Sequence, residues 1–185
     1  MTSLSLNISL PNNFSSEGAL RYYGRDRAGV SERVSGDGFE KAFWVDEVPA
    51  YFAINFHDEK VSVKANVDAQ LKKSHLQFIV SSLVSRVLGL LQPVAEFESI
   101  ALDDEILKRT IIETRGLRVP QAVSPWEALI SSVIGQQVSV AAATSMRSRF
   151  MKGMGTLHSS GLFCFPQPKF IATCNVHELR NFGIS

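Results

Sequence analysis

The sequence predicts an α+β fold, in which an antiparallel sheet covered by helices is followed by an all-helical segment. Two observations lead to this prediction. Up to about residue 67 apolar and polar residues alternate, as in strands with one buried face, and from Asp68 onward apolar residues recur every three to four positions, as in helices. Strands grouped together before the helices favour an antiparallel sheet with helices on one face.

The residue pattern of the N-terminal part predicts five strands and one helix. Strict alternation predicts a half-buried first strand with apolar residues at Leu4, Leu6, Ile8 and Leu10. Ser15 or Ser16 is expected to cap a helix that extends to about Asp26. Turn-forming clusters then separate four further strands, at residues 30–36, 39–46, 50–57 and 60–66.

Helical patterns dominate the rest of the chain. A long helix is predicted from about residue 68 to Leu91, because a period of three to four joins Leu71, His75, Phe78, Ile79, Leu83, Val87 and Leu90. A second helix should begin at 102–104 and end at Arg115, before Gly116. After a glycine-containing loop, short helices are expected from 165–168 and over 176–182, the last closed by Gly183 in a left-handed conformation.

Two further helices are predicted on either side of a short polar elbow, residues 135–139. Ser124 should cap the first, with Pro125 at its first position and Glu127 completing a capping box. Apolar residues spaced for one broad buried face follow at Trp126, Leu129, Ile130, Val133 and Ile134. Ser139 can cap the second helix, in which three alanines permit close approach of a neighbouring backbone and three basic residues lie at the far end: Arg147, Arg149 and Lys152.

Composition and charge indicate a globular protein with one basic half. The hydrophobic content is 45% and the net charge is +1. Residues 115–185 carry seven Lys or Arg and two Glu, whereas residues 1–114 carry twelve Lys or Arg and sixteen Asp or Glu. A surplus of five positive charges suits a phosphate backbone, although such a surplus is also common on ordinary solvated surfaces.

Nothing in the sequence predicts export or membrane insertion. The first residues lack a basic segment followed by a continuous apolar run, and polar residues interrupt the longest apolar stretches. Two cysteines do not form a disulfide framework. We therefore expect a reduced, cytoplasmic protein.

The sequence shows no convincing metal site or catalytic group. Four residues are of types that bind zinc: His158, Cys164, Cys174 and His177. Their spacing lacks the paired cysteines of a zinc knuckle. We expect buried thiols and surface histidines instead. The acidic run of residues 103–105 fits capping and solvation better than acid–base chemistry. Phosphate-cradling loops and nucleophile–base pairs are not recognisable, so neither metal nor cofactor is predicted.

The glutamine pair in the elbow, Gln136 and Gln137, has two explanations. Loops are commonly polar, and amides satisfy exposed helix ends. Alternatively, the elbow faces a partner rich in hydrogen-bonding edges, such as DNA.

The amino-acid sequence around the elbow resembles that of a known family. The segment IGQQVSVAAA, preceded by RGLRVP and followed by FPQPKFIATCNVHELRNFGIS, is similar to the first half of the helix-hairpin-helix glycosylase domain, and most similar to bacterial DNA-3-methyladenine glycosylase II of the AlkA type. A weaker similarity covers the N-terminal part, where that family has a domain related to the TATA-binding-protein fold. The resemblance implies two domains: residues 1–95, α+β, and 96–185, the first half of the glycosylase domain.

The resemblance implies base-excision DNA repair, without a cofactor. The expected substrate is double-stranded DNA with alkylated bases such as 3-methyladenine, released by base flipping and hydrolysis of the N-glycosidic bond. By this resemblance Gln136, Gln137 and Ser139 face the DNA minor groove. Gln137 occupies the position of the wedge that fills the space left by the flipped nucleotide, where the best-known family member has a leucine.

The resemblance also implies that the glycosylase domain is incomplete. Its phosphate-binding hairpin and catalytic aspartate are expected beyond Ser185, so no catalytic residue is assigned. A missing C-terminal half or a second polypeptide is then an expected partner for the apolar helix faces. Two alternatives stay open: a non-catalytic DNA-binding or regulatory relative, and a protein-interaction remnant without DNA affinity.

Overall fold

The computed structural model describes residues 1–184 and has the predicted α+β architecture. A five-stranded antiparallel sheet has the strand order β1-β5-β4-β3-β2, and the helices follow it in the chain. In chain order the elements are β1 (Thr2–Ser9), α1 (Ser16–Tyr23), β2 (Glu32–Ser35), β3 (Gly38–Val45), β4 (Val48–Phe56), β5 (Lys60–Val67), α2 (Lys73–Val87), α3 (Val94–Ala101), α4 (Leu107–Glu113), α5 (Pro125–Ile134), α6 (Val140–Met154), β6 (Thr156–Leu157), β7 (Phe163–Cys164), α7 (Pro168–Ile171) and α8 (Val176–Arg180).

The sheet confirms the five predicted strands. β1 pairs with β5 in a register that sets Leu4 opposite Ala65, and the residues of β1 alternate between inward and exposed positions as the sequence indicates. The main core lies between the sheet and the helices α1 and α2. Within it the Tyr23 ring stacks on Phe39 with centroids 3.9 Å apart, and its hydroxyl donates to the Val87 carbonyl at 3.0 Å.

Helix α2 begins later than predicted, and its buried face matches the predicted one in part. Residues before Lys73 are not helical, because Thr2 Oγ1 of the neighbouring strand accepts from the Leu71 N–H at 2.9 Å and holds that segment extended. Leu83 and Val87 are buried as predicted, whereas Phe78 is 75% exposed. Its buried residues are Leu76, Val80, Leu83, Val84 and Val87.

The region after α2 forms two short helices where one was predicted. The acidic run does initiate a helix, since Asp104 Oδ1 accepts from the Ile106 and Leu107 N–H groups at 2.8 and 2.9 Å, but α4 therefore begins only at Leu107. α3 was missed. Gly116 ends this region as predicted, with φ +73°; an added Cβ would lie 1.3 Å from the Asn13 carbonyl oxygen.

The glycine-containing loop after α6 contains an unpredicted two-stranded sheet, β6 and β7. This hairpin joins the two parts of the chain, because the Phe163 N–H donates to the Val30 carbonyl at 2.8 Å and Cys164 Sγ donates to the Phe43 carbonyl at 3.1 Å. The final helix begins with a complete capping box at Asn175, and Gly183 has φ +84° as expected. No helix among residues 1–184 is long and apolar enough to cross a membrane.

Candidate nucleic-acid interface

The elbow is held between two capped helices. Ser124 Oγ accepts from the Glu127 N–H at 3.1 Å, with Pro125 in the first turn of α5, and Ser139 Oγ accepts from the Ala142 N–H at 3.2 Å at the start of α6. Both predicted serine caps are therefore confirmed. The elbow thus lies between Gly135, where α5 ends, and the Ser139 cap, where α6 begins.

The elbow turns at a glutamine with left-handed backbone. Gln137 has φ +57°, whereas Gly135, at the end of α5, has φ −80°. A residue with a Cβ in the left-handed region costs roughly 1–2 kcal/mol. Gln136, Gln137 and Ser139 are all exposed, and neither glutamine amide has a hydrogen-bond partner within the described chain. Three other residues with a Cβ also have a positive φ, namely Asn13, Asp46 and Glu47, so the strain at Gln137 is not unique within the described chain.

The helices beside the elbow leave apolar surface uncovered. Of the five residues predicted to form one buried face of α5, only Ile134 is buried, and Leu129 and Val133 are 57% and 45% exposed. Next to the elbow, Val138 and Val140 are 40% and 63% exposed. Helix α5 thus packs inward along one side, through Trp126, Ile130 and Ile134, and leaves an open apolar face on another side.

A buried ion-pair network connects the base of this helical pair to the sheet. Lys41 Nζ lies 2.6 Å from Glu32 Oε2 and 3.0 Å from Glu127 Oε1, and the Arg147 guanidinium lies 2.8 Å from Glu127 Oε1. Arg147 also contacts Glu32 at 3.1 Å, which closes the network. We call these four residues the ionic network. Glu127 therefore does not complete a capping box, because its carboxylate is drawn to the two cations instead.

Mutual attraction decides the charge states of the ionic network. Burial alone would raise the pKa of the Glu32 carboxyl, but Arg147 and Lys41 outweigh that effect and hold the pKa well below its ordinary value. Burial would likewise lower the pKa of the Lys41 ammonium, and the two glutamates reverse this and raise it. Glu32 and Lys41 therefore stay charged near neutral pH, inside a buried network whose two cations face two glutamates.

A cleft of about 660 Å³ extends from the elbow to the ionic network. At the elbow end it is lined by Gly135, Val138 and Val140, and at its other end by the ionic network. On the wall formed by the first part of the chain, the Arg25 guanidinium lies 3.9 Å from the centroid of the Tyr22 ring. The cleft therefore combines an aromatic surface with positive charge beside the exposed glutamines.

The carboxylates that line the cleft are engaged in internal contacts. Asp26 accepts from Ser148 Oγ and from the Val30 N–H, both at 3.0 Å, and the two glutamates belong to the ionic network. A general base must reach the reacting atom or a water beside it. Among residues 1–184 we therefore assign no catalytic carboxylate in this cleft.

The basic half of the chain presents less positive charge than the sequence indicates. Arg147, expected at a basic helix end, points into the ionic network, and Lys169 pairs with Glu47 at 3.2 Å. Arg149 Nη2 donates to the Phe182 carbonyl at 3.2 Å but stays exposed, as does Lys152. Exposed cations of this half therefore include Arg149 and Lys152 at the far end of α6 and, elsewhere, Arg115 and Arg180.

Three of the four residues considered for zinc have other contacts: His177 is exposed as predicted, whereas Cys174, predicted to be buried, is half-buried and donates to the Phe170 carbonyl. His158 is 1% exposed rather than at the surface: its Nδ1 accepts from the Ser160 N–H at 3.0 Å, its Nε2 lies 2.9 Å from Asn66 Oδ1, and its ring stacks on Tyr51. Cys164 is buried as predicted. In the described part of the chain, no three His, Cys, Asp or Glu residues are grouped closely enough to hold a metal ion.

Sequence reasoning missed Lys41 and Tyr22. A signal for Lys41 was available, because alternation along β3 sets it on the same face as the buried Phe39 and Phe43, where an unpaired cation would not be stable. Tyr22 had no such signal. Its place in the cleft wall depends on how α1 packs against the rest of the chain.

Comparison with known proteins identifies the fold. No protein-family model matches the chain, and no curated protein matches it by sequence. Among solved structures it is similar to a 3-methyladenine DNA glycosylase from Archaeoglobus fulgidus, with a TM-score of 0.83 and 19% identity over 97% of this chain and 62% of the other. This confirms the predicted likeness at the level of fold.

Two structures of a Clostridium acetobutylicum 8-oxoguanine glycosylase/lyase are also similar to this chain. The apo form has a TM-score of 0.69 and 14% identity, over 98% of this chain and 59% of the other. The complex with double-stranded DNA has a TM-score of 0.68 and 12% identity, over 97% of this chain and 60% of the other. The chain thus spans about three fifths of the length of the solved structures it matches.

Proposed function

We propose that the chain is the N-terminal portion of a DNA N-glycosylase of base-excision repair, acting on alkylated bases such as 3-methyladenine in double-stranded DNA. Residues 1–95 would form its α+β domain and residues 96–185 the first half of its helix-hairpin-helix domain. The elbow carries the proposal: Gln137 has a strained backbone and an exposed amide at the turn between two capped helices. The glycosylase-like fold supports the same function.

The chemistry of the elbow suits a DNA groove. An amide offers both a donor and an acceptor, which are the groups that base edges in a groove can pair with. We propose that Gln137 enters the minor groove as a wedge beside the extruded nucleotide, and that Gln136 contacts the adjacent strand. The Ser139 hydroxyl accepts from the helix and retains its own hydrogen, which can be donated to a phosphate oxygen.

The adjacent cleft suits an extruded base. Its volume of about 660 Å³ lies within the range of small-molecule sites. The Tyr22 ring, stacked under Arg25, supplies an apolar surface that accepts any planar base, with a positive charge nearby. Recognition of an electron-poor alkylated base would need further groups besides Tyr22 and Arg25.

We propose that a C-terminal half or a second polypeptide supplies the catalytic carboxylate and the phosphate-binding hairpin. Cleavage of the N-glycosidic bond builds positive charge on the sugar, which an aspartate would stabilise. The exposed apolar residues Leu129, Val133 and Val140 would form the contact surface for that part. A non-catalytic DNA-binding relative is the alternative, favoured by the internal engagement of every carboxylate that lines the cleft within residues 1–184.

The first experiment measures binding of this chain to a duplex that contains an abasic-site analogue, with an undamaged duplex of the same sequence as reference. We expect Gln137→Ala to weaken binding to the damaged duplex roughly tenfold, as loss of one or two groove hydrogen bonds would. Gln77→Ala is the matched control, because Gln77 is an exposed glutamine of α2 outside the cleft. Equal binding by both variants would contradict the wedge.

A second experiment separates the two candidate functions. Release of free alkylated base is measured with the chain alone and with the chain complemented by the C-terminal part of a longer glycosylase. A repair glycosylase predicts release by the complemented chain and loss of release in Gln137→Ala. Retention of duplex without release in either sample would favour the non-catalytic function, and binding that does not fall with salt would contradict DNA recognition altogether.

A further inference from the structure

A second cavity, of about 430 Å³, lies between β3, α2, the start of α5 and the segment that leads into α7. We call it the tryptophan pocket, because both tryptophans of the chain, Trp44 and Trp126, line it. Its other apolar lining residues are Phe43, Leu83, Val123, Phe165, Pro166 and Pro168. Such a lining is typical of sites for small, flat, apolar molecules.

The two indole rings of the tryptophan pocket are fixed in place. Trp44 Nε1 donates to the Phe165 carbonyl at 2.6 Å, and Trp126 Nε1 donates to the Pro166 carbonyl at 2.7 Å. Both indole donors are therefore satisfied by the chain. A ligand in the pocket would contact ring surfaces that are already oriented, so binding would cost little side-chain entropy.

One wall of the pocket carries an unsatisfied polar atom. The Glu127 side chain is 5% exposed, and its Oε1 pairs with Lys41 and Arg147. Its Oε2 is buried and has no hydrogen-bond partner in the described chain. Leaving a buried carboxylate oxygen unpaired is unfavourable, so a donor in the pocket that draws the Glu127 side chain toward it would gain most of the strength of a charge-assisted hydrogen bond.

We propose that the tryptophan pocket binds a planar heteroaromatic compound of one or two rings that donates an N–H group to Glu127 Oε2. The apolar lining selects a flat aromatic body, and the orphaned oxygen selects a hydrogen-bond donor over an acceptor. The exposed ion pair of Glu47 with Lys169 lies at the edge of the pocket and leaves the aromatic interior free of other charge. The pocket shares Ser124 and Glu127 with the cleft but contains no elbow residue, and ligand binding in it does not require DNA.

Nuclear magnetic resonance tests this site directly, because the chain has two tryptophans and thus two indole N–H signals. Trp44→Phe and Trp126→Phe assign the signals. The wild-type chain is then titrated with benzimidazole, which has a ring N–H, and with N-methylbenzimidazole, which has the same rings and no donor. We expect benzimidazole to shift both indole signals saturably and the N-methyl compound to bind at least roughly tenfold more weakly.

A pair of variants controls for binding elsewhere. Val123→Phe fills the pocket, whereas Val119→Phe makes the same change on an exposed residue outside it. We expect Val123→Phe to abolish the shifts and Val119→Phe to retain them. The proposal is overturned if neither indole signal moves, if both compounds bind equally, or if a folded Val123→Phe chain binds benzimidazole like the wild type; the comparison of the two compounds needs no variant.

Discussion

Replacing Gln137 by glycine should stabilise the fold and weaken DNA binding at the same time. The left-handed conformation of Gln137, with φ +57°, costs about 1–2 kcal/mol that glycine does not incur. Glycine also gives the unfolded chain more freedom, which costs about 0.4–1 kcal/mol. The expected net change in the free energy of unfolding therefore lies between about zero and 1.5 kcal/mol in favour of the variant.

Gln136→Gly is the matched control. Gln136 is equally exposed and belongs to the same elbow, but it does not have a positive φ. Only the entropic cost applies, so this variant should lose about 0.4–1 kcal/mol. Since both changes free the unfolded chain to the same extent, that contribution cancels between them. The two variants should differ by the conformational strain alone, about 1–2 kcal/mol.

Urea unfolding of the two variants measures this difference, provided that the slopes of the transitions agree. Binding to the duplex with an abasic-site analogue is measured on the same samples. We expect Gln137→Gly to be the more stable variant and the weaker binder relative to the wild type. Equal destabilisation by the two glycines would refute the strain, and wild-type affinity in Gln137→Gly would refute its groove contact.

Three further predictions concern stability. Arg147→Met should cost about 3–5 kcal/mol, because it leaves two buried glutamates with one cation, whereas Arg149→Met, on the exposed face of α6, should stay within about 0.5 kcal/mol in the same urea experiment. The pKa of Glu32 is lower in the folded chain than its ordinary value, so ionised Glu32 stabilises the fold above about pH 4.3, and this stabilisation is lost as the pH falls toward the folded pKa. The urea concentration at the midpoint of unfolding should therefore fall between roughly pH 5 and pH 2. A midpoint that does not change with pH would contradict the ionic network. Gly116→Ala should prevent stable folding, because its Cβ would meet a backbone carbonyl at 1.3 Å, while Gly161→Ala, with φ +84° and open space around it, should lose only about 1 kcal/mol by thermal unfolding.

Local rules in the sequence were sufficient for the strands and the helix caps. Alternation set the inward residues of β1, and Ser124 and Ser139 were recognised as caps from the residues within one turn of them. The elbow was located by Gly135, which ends the first helix, and by Ser139, which caps the second. These signals depend on hydrogen bonds between residues close in the chain, so they can be read from short windows.

Contacts between distant residues decided the rest. Glu127 satisfies the pattern of a capping box, yet Lys41, far away in the chain, takes its carboxylate. The residue at which α2 begins depends on a hydrogen bond from its leading segment to β1, and the left-handed backbone of Gln137 was not indicated by any local pattern. The sequence by itself thus determined the fold class and the position of the elbow. Tertiary structure decided the ionic network, the cleft and the tryptophan pocket, because each forms from side chains that meet only when the sheet and the helices pack.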